Sequence, residues 1–201
     1  MNALQPILAI DVVLKVPEPL YSLCCSFSSK YTDARISLGD HMQPHVSLYM
    51  MAAAKNDLEK IKKILASIFT GDAGITLPVL GFTQKNLNSN KPVLHYELLP
   101  TAELQILQKQ IVTALSPFYQ NQLNSSSFVR NNDTEIITDS TLEWVKNFNT
   151  ASTGQNFQPH ITIGYGELPA ELLNRQNEAE ITFTELNVYQ LGNHCTCRKK
   201  L

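Results

Sequence analysis

An echo between the two halves of the chain constrains its fold more than any other feature. Pro44-His45-Val46-Ser47-Leu48 and Pro159-His160-Ile161-Thr162-Ile163 match by residue class at all five places. Each alternates a polar residue with an aliphatic one behind a leading proline, the pattern of a strand entered from a loop. Each precedes a predicted helix and then two predicted strands. The following strands also open alike, Ile75-Thr76-Leu77 in one half and Ile181-Thr182-Phe183 in the other. Two similar lobes are the simplest explanation. At 201 residues the chain is long enough to bury a sizeable core. Residues 1–201 are therefore read as a single domain of two intertwined lobes, with one motif near 44–50 and the other near 159–165.

The remaining elements follow from periodicity and punctuation. Ile7 to Lys15 reads as a strand ended by Pro17, and Pro19 to Tyr31 as a helix with Leu20, Leu23, Cys24 and Phe27 on one face. Asn56 or Asp57 caps a helix to about Phe69. Ile75 to Thr83 and Pro92 to Leu99 form a strand pair around a polar loop with Asn86, Asn88, Ser89 and Asn90. Thr101 caps a helix ended by Pro117, and Asn121 to Asp133 is a loop. Ser140 caps a helix through Phe148. The pattern then predicts a short helix near Pro169 to Asn174, a strand from Ile181 to Gln190, a turn at Gly192-Asn193, and a last strand to Lys199.

Residues i, i+2 and i+4 of a strand share a face, which groups His45 with Ser47 and Tyr49, and His160 with Thr162 and Gly164. Pseudo-twofold packing of the lobes would set two imidazoles and two hydroxyls across one cleft. That set suits phosphodiester chemistry without a metal. One neutral His takes a proton from the attacking group while the other, protonated, supplies one to the leaving oxygen. The hydroxyls of Ser47 and Thr162 donate to phosphate oxygens. Tyr49, Tyr165 and Phe157 are candidate substrate contacts, although Tyr165 points to the other face unless a bulge intervenes. His-x-Ser/Thr also occurs at His194-Cys195-Thr196, which has neither the leading proline nor a counterpart, so His41, His95 and His194 receive no role.

Competing chemistries fare worse. No G-x-S-x-G elbow is present, and Ser47 falls on a strand, which disfavours a serine nucleophile. His194, Cys195 and Cys197 would make a crowded metal site short of a fourth ligand. With Lys+Arg 16 against Asp+Glu 18 and a net charge of -2, the chain lacks the basic surplus for gripping long nucleic acid. No apolar run approaches the ~18 residues of a membrane span, no leader is evident, and the 4 Cys follow no disulfide or zinc framework. These features together suggest a reduced, cytoplasmic monomer with no membrane partner.

The paired Pro-His-Val-Ser-Leu and Pro-His-Ile-Thr-Ile segments resemble the two signature motifs of the 2H phosphoesterase superfamily, which includes the 2′-5′ RNA ligase-like proteins and cyclic nucleotide phosphodiesterases. The closing Val188-Tyr189-Gln190-Leu191 strand adds a weaker match. The resemblance implies a bilobal α+β fold with two antiparallel sheets flanking a central cleft and helices outside. It also implies a cofactor-free site, catalysis by His45 and His160, and a phosphate held by Ser47 and Thr162. Ser47 stands where threonine is commoner in the family, keeping the hydroxyl. The implied substrate is a nucleotide or RNA end, with opening of a 2′,3′-cyclic phosphate or cleavage or sealing of a 2′-5′ linkage. A nucleotide-binding module with little or no turnover is the alternative.

Overall fold

A computed structural model of the chain describes residues 5–86, 90–173 and 179–201. In chain order the elements are β1 (Ile7–Lys15), α1 (Leu20–Tyr31), β2 (His45–Ala54), α2 (Leu58–Ile68), β3 (Ile75–Lys85), β4 (Val93–Leu98), α3 (Ala102–Leu115), α4 (Asp139–Ala151), β5 (His160–Tyr165), β6 (Glu180–Phe183), β7 (Leu186–Leu191) and β8 (Cys197–Lys200). The strands make two antiparallel sheets, ordered β2-β1-β7-β8 and β5-β4-β3-β6. The orders correspond place by place. An edge strand carries the Pro-His motif, the strand preceding it in the chain lies beside it, and the third strand comes from the other half. This is the bilobal, pseudo-twofold α+β arrangement, with a cleft between the sheets and the helices outside. Among the described residues no helix is long and apolar enough to cross a membrane.

Side-chain caps set the starts of two helices, whereas α1 and α2, the latter following Asp57, begin without a side-chain cap hydrogen bond. Thr101 caps α3 by accepting the Leu104 N–H at 3.3 Å. The cap of α4 is Thr138 rather than Ser140, since the Thr138 hydroxyl accepts the Thr141 N–H at 3.3 Å. The helix continues past Phe148 to Ala151. The helix expected near Pro169 is a single 3-10 turn, Ala170–Leu172. Asn174, and Asn88 and Ser89 of the β3–β4 loop, lie outside the described residues.

The largest departure from the sequence pattern lies at Ile181 to Gln190. That run forms two strands in different sheets, β6 against β3 and β7 against β1. Thr184 and Glu185 carry the chain between sheets without a Gly or Pro to announce the change. Glu185 pins the crossing, accepting the Lys15 N–H at 3.0 Å on its carbonyl and the Lys15 ammonium at 2.8 Å on its carboxylate. The second echo is also reassigned. Ile75-Thr76-Leu77 and Ile181-Thr182-Phe183 are cross-strand partners, Thr76 opposite Thr182, so the topological counterpart of β3 is β7.

Fully buried Ile10, Leu14, Leu48, Leu77, Leu94, Leu98 and Phe183 join one core that draws on both sheets, with Leu104, Ile111 and Leu115 of α3 packed into it. Two bulges in this framework aim the motif strands. Val13 pairs with Ser47 but Val12 with Tyr49, leaving Leu48 as the extra residue. His95 pairs with Thr162 but Leu94 with Gly164, leaving Ile163 extra. Both bulges fall immediately after the motif hydroxyl. Because a bulge shifts the alternation by one, Tyr49 turns away from the His45–Ser47 face, and Tyr165 turns onto the His160–Thr162 face.

The second bulge depends on glycine. Gly164 has φ 147°, and a Cβ there would stand 2.7 Å from the Thr32 hydroxyl oxygen. Gly164→Ala should therefore lower stability by about 1–3 kcal/mol. The check is a urea midpoint that falls at an unchanged m-value; a wild-type midpoint would remove the close-approach argument.

Candidate active site

His45 and His160 open β2 and β5 at corresponding edges of the two sheets. Each ring is held by the backbone two residues earlier. His45 Nδ1 donates to the Gln43 carbonyl at 2.7 Å, and His160 Nδ1 donates to the Gln158 carbonyl at 2.8 Å. A carbonyl only accepts, so Nδ1 carries the hydrogen and the neutral ring presents its lone pair at Nε2. Burial lowers both imidazoles. His45 falls to about 4, opposed by the Gln43 carbonyl and pushed further by the charge of His160. His160 is also lowered by burial, opposed first by the Gln158 carbonyl, with Lys85 lowering it and Glu97 raising it. Lys85 and Glu97 are themselves paired at 2.6 Å.

Ser47 lies two residues along β2 from His45, on the same face, and donates its hydroxyl to Asp11 Oδ2 at 2.7 Å. Asp11 has no exposed surface, its Oδ2 stands 3.7 Å from His45 Nε2, and its Oδ1 has no hydrogen-bond partner. Burial pushes its carboxyl up to about 8, against the pull of the Ser47 bond. Asp11 was legible only as the one charged residue interrupting an apolar strand, and motif reasoning assigned it nothing.

The second lobe has a different neighbour. Thr162 is partly exposed on the His160 face and pairs with His95 on β4. The His95 ring stacks on His160 with centroids 4.2 Å apart and planes 26° apart. His95 is 7% exposed, and burial, then His160 and Lys85, lowers it to about 2. It is therefore a neutral wall behind His160, a role that no spacing rule announces.

The three aromatic candidates separate. Tyr165 faces the motif side, with the Arg35 guanidinium 3.9 Å from its ring centroid and the His194 ring edge-on at 5.4 Å. Asp33 grips Arg35 through two oxygens, at 3.0 and 2.7 Å among other contacts, and is held down to about 2. Tyr49 is 2% exposed and packs against Phe148 of α4, with centroids 6.5 Å apart, so it belongs to the core. Phe157 is likewise buried in the core, at 5% exposure, and offers no free face to a ligand. His194, Cys195 and Cys197 do not gather as a metal set. Among the described residues the ligand-type group is Asp11, His45 and Cys197.

No curated protein sequence matches the chain. Its fold resembles that of E. coli LigT in apo form, with a TM-score of 0.55, 14% identity, and 97% of this chain and 95% of that chain covered. E. coli LigT complexed with 3′-AMP gives 0.55, 15%, 97% and 95%. A structure described as a phosphoesterase gives 0.50, 13%, 96% and 95%. The family model for the 2′-5′ RNA ligase superfamily matches residues 29–194, a span that contains both Pro-His strands, and the chain belongs to that superfamily.

Proposed function

We propose that the protein is a metal-independent phosphoesterase acting on a nucleotide or RNA end, in which His45 and His160 are the general acid and base. The observation carrying this reading is the matched locking of the two rings. Each Nδ1–H is bound to the carbonyl two residues back, which leaves each Nε2 free to exchange protons. The 3′-AMP complex of E. coli LigT supports a nucleotide phosphate as the ligand class. The interchange of β3 and β7 between sheets supports reading the chain as one domain of two interleaved lobes.

For a 2′,3′-cyclic phosphate, one neutral imidazole takes a proton from water at Nε2 as the water oxygen bonds to phosphorus. The bond from phosphorus to one ribose oxygen breaks, and the other ring, protonated, gives that oxygen its Nε2 proton. With a hydroxyl of a second nucleotide in place of water, the same transfers seal a 2′-5′ linkage, and their reverse cleaves it. Burial keeps both rings neutral in the free protein, and a phosphate anion between them favours protonation of one. Thr162 and Ser47 donate to the phosphate oxygens. Ser47, which donates to Asp11 Oδ2 in the free protein, turns its hydroxyl hydrogen to the phosphate when the ligand binds.

The direct test is a panel of 2′,3′-cyclic nucleotides and 2′-5′-linked dinucleotides. At least one should turn over at a rate that EDTA leaves intact. His45→Ala and His160→Ala should each lose about 10²–10⁴-fold while melting near the wild-type temperature. Nucleotide binding with no product over hours, or turnover abolished by EDTA, overturns the reading. His95 acts through His160 as a positioning residue. His95→Ala should lower kcat by about ten- to a hundredfold with KM little changed, whereas His95→Phe, which keeps a stacking ring, should restore most of the rate. Equal losses in both variants would contradict that role.

Asp11 generates a stability prediction. Its folded value of about 8 lies above its ordinary 3.8, so the folded state keeps a proton that the unfolded chain sheds. Its contribution is fully present below pH 3.8 and is lost as pH rises to about 8. In EDTA buffer, the wild-type urea midpoint should therefore fall relative to that of Asp11→Asn between pH 5 and pH 8, then level off. A difference independent of pH would refute the buried, neutral carboxyl.

A further inference from the structure

Three donor atoms of different chemistry converge beside His45. Asp11 on β1, His45 at the start of β2 and Cys197 at the start of β8 each bring one, all within 4.8 Å of one another. The curl of the first sheet produces this convergence. Strands β1 and β7 separate its edges β2 and β8, yet the Gln43 N–H donates to the Cys197 carbonyl at 3.0 Å. The lead into β2 therefore touches the start of β8, and Asp11 on the intervening strand sits inside the curl.

The donors suit a cation better than they suit one another. Asp11 Oδ2 and His45 Nε2 are 3.7 Å apart, too far for a hydrogen bond. The second carboxylate oxygen is buried without a partner, an arrangement that costs free energy unless something binds it. His45 gives its Nδ1–H to a backbone carbonyl, the support that metal-bound imidazoles use. Cys197 is buried and forms no disulfide. Ser47 steadies the carboxylate through Oδ2.

We propose that Asp11, His45 and Cys197 bind a borderline-soft divalent cation of the zinc type, and that the bound cation switches the phosphoesterase off. One nitrogen, one sulfur and one oxygen favour zinc over magnesium or calcium, which prefer all-oxygen shells. Tetrahedral zinc with such ligands separates the donor atoms by about 3.3–3.6 Å. The His45–Asp11 pair is nearly there, and the thiol needs a shift of about 1 Å. The fourth position is left to water. Coordination sends the thiol proton, and any proton on the carboxyl, to solvent. It also occupies the His45 Nε2 lone pair that turnover uses, so metal and catalysis exclude each other; this last step rests on the proposed function.

The test uses the full-length protein, stripped with EDTA, exchanged into chelator-free buffer and kept reduced. Titration with Co²⁺ should raise a thiolate-to-cobalt charge-transfer band that saturates at one equivalent and is bleached by Zn²⁺. Cys197→Ser should lose the band, while Cys195→Ser keeps it. The absence of a band in wild type, or its persistence in Cys197→Ser, overturns the site. If circular dichroism shows Cys197→Ser unfolded, calorimetry of Cys197→Ala and His45→Gln takes its place, each expected to weaken Co²⁺ about tenfold or more. In the activity arm, excess Zn²⁺ should cut the wild-type rate by more than about tenfold, and EDTA should restore it. Cys197→Ser should keep its metal-free rate and need about ten times more Zn²⁺; equal sensitivity overturns the switch. A band on a protein without any turnover would refute the functional proposal and leave the metal site standing, and turnover without a band would do the reverse.

Discussion

The hydrogen bond from each imidazole to the carbonyl two residues earlier governs the rest of the site. A histidine on a strand face otherwise has two tautomers and a ring free to turn about its Cβ. In Gln43-Pro44-His45 and Gln158-Pro159-His160 the central proline has a restricted φ and no N–H of its own, and the preceding carbonyl receives the ring's Nδ1–H. Proton position and ring direction are thus set together by the main chain. The two motif strands β2 and β5, each at the edge of its sheet, lie against one another and so bring the two supported rings to the same region.

On this symmetric frame the polar neighbours are not symmetric. The face of β1 that carries the site reads Asp11, Val13, Lys15, and the corresponding face of β4 reads Val93, His95, Glu97. One lobe places a carboxyl beside its motif serine where the other has valine, and the second places an imidazole against its motif histidine where the first has valine. Two rings with the same backbone support therefore meet different surroundings. One faces a buried acid and the other a stacked neutral ring beside an ion pair. Differentiated environments of this kind let two like groups take unlike roles in one reaction.

The sequence was informative where a local rule sets the structure. The Pro-His strands, the Thr101 cap and the bounds of β1 follow from composition and spacing, and so do the faces that carry His45, Ser47, His160 and Thr162. It failed where the deciding contact lies far along the chain. Nothing near Thr184 signals that the strand changes sheets, because the cause is pairing with β3 and β1. The bulges at Leu48 and Ile163 appear only in register against β1 and β4, and they exchange Tyr49 for Tyr165 on the motif face. Asp11 and His95 sit in ordinary strand contexts and become significant only through a neighbour 36 residues from Asp11 and a ring on the adjacent strand.

Charge near the cleft follows the same economy as the net charge of -2. Lys85 is paired with Glu97 at 2.6 Å, Arg35 with Asp33 at 2.7 Å, and Lys15 with Glu185 at 2.8 Å. A paired cation still donates hydrogen bonds at contact, but its field decays over a few ångströms because the partner cancels it at longer range. Steering of a polyanion needs the opposite, a wide unpaired basic surface. On the proposed reading, attraction is confined to one phosphodiester and its immediate neighbours. Selectivity among such ligands then falls to the shape of the loops around the cleft and to the hydroxyls and imidazoles within it.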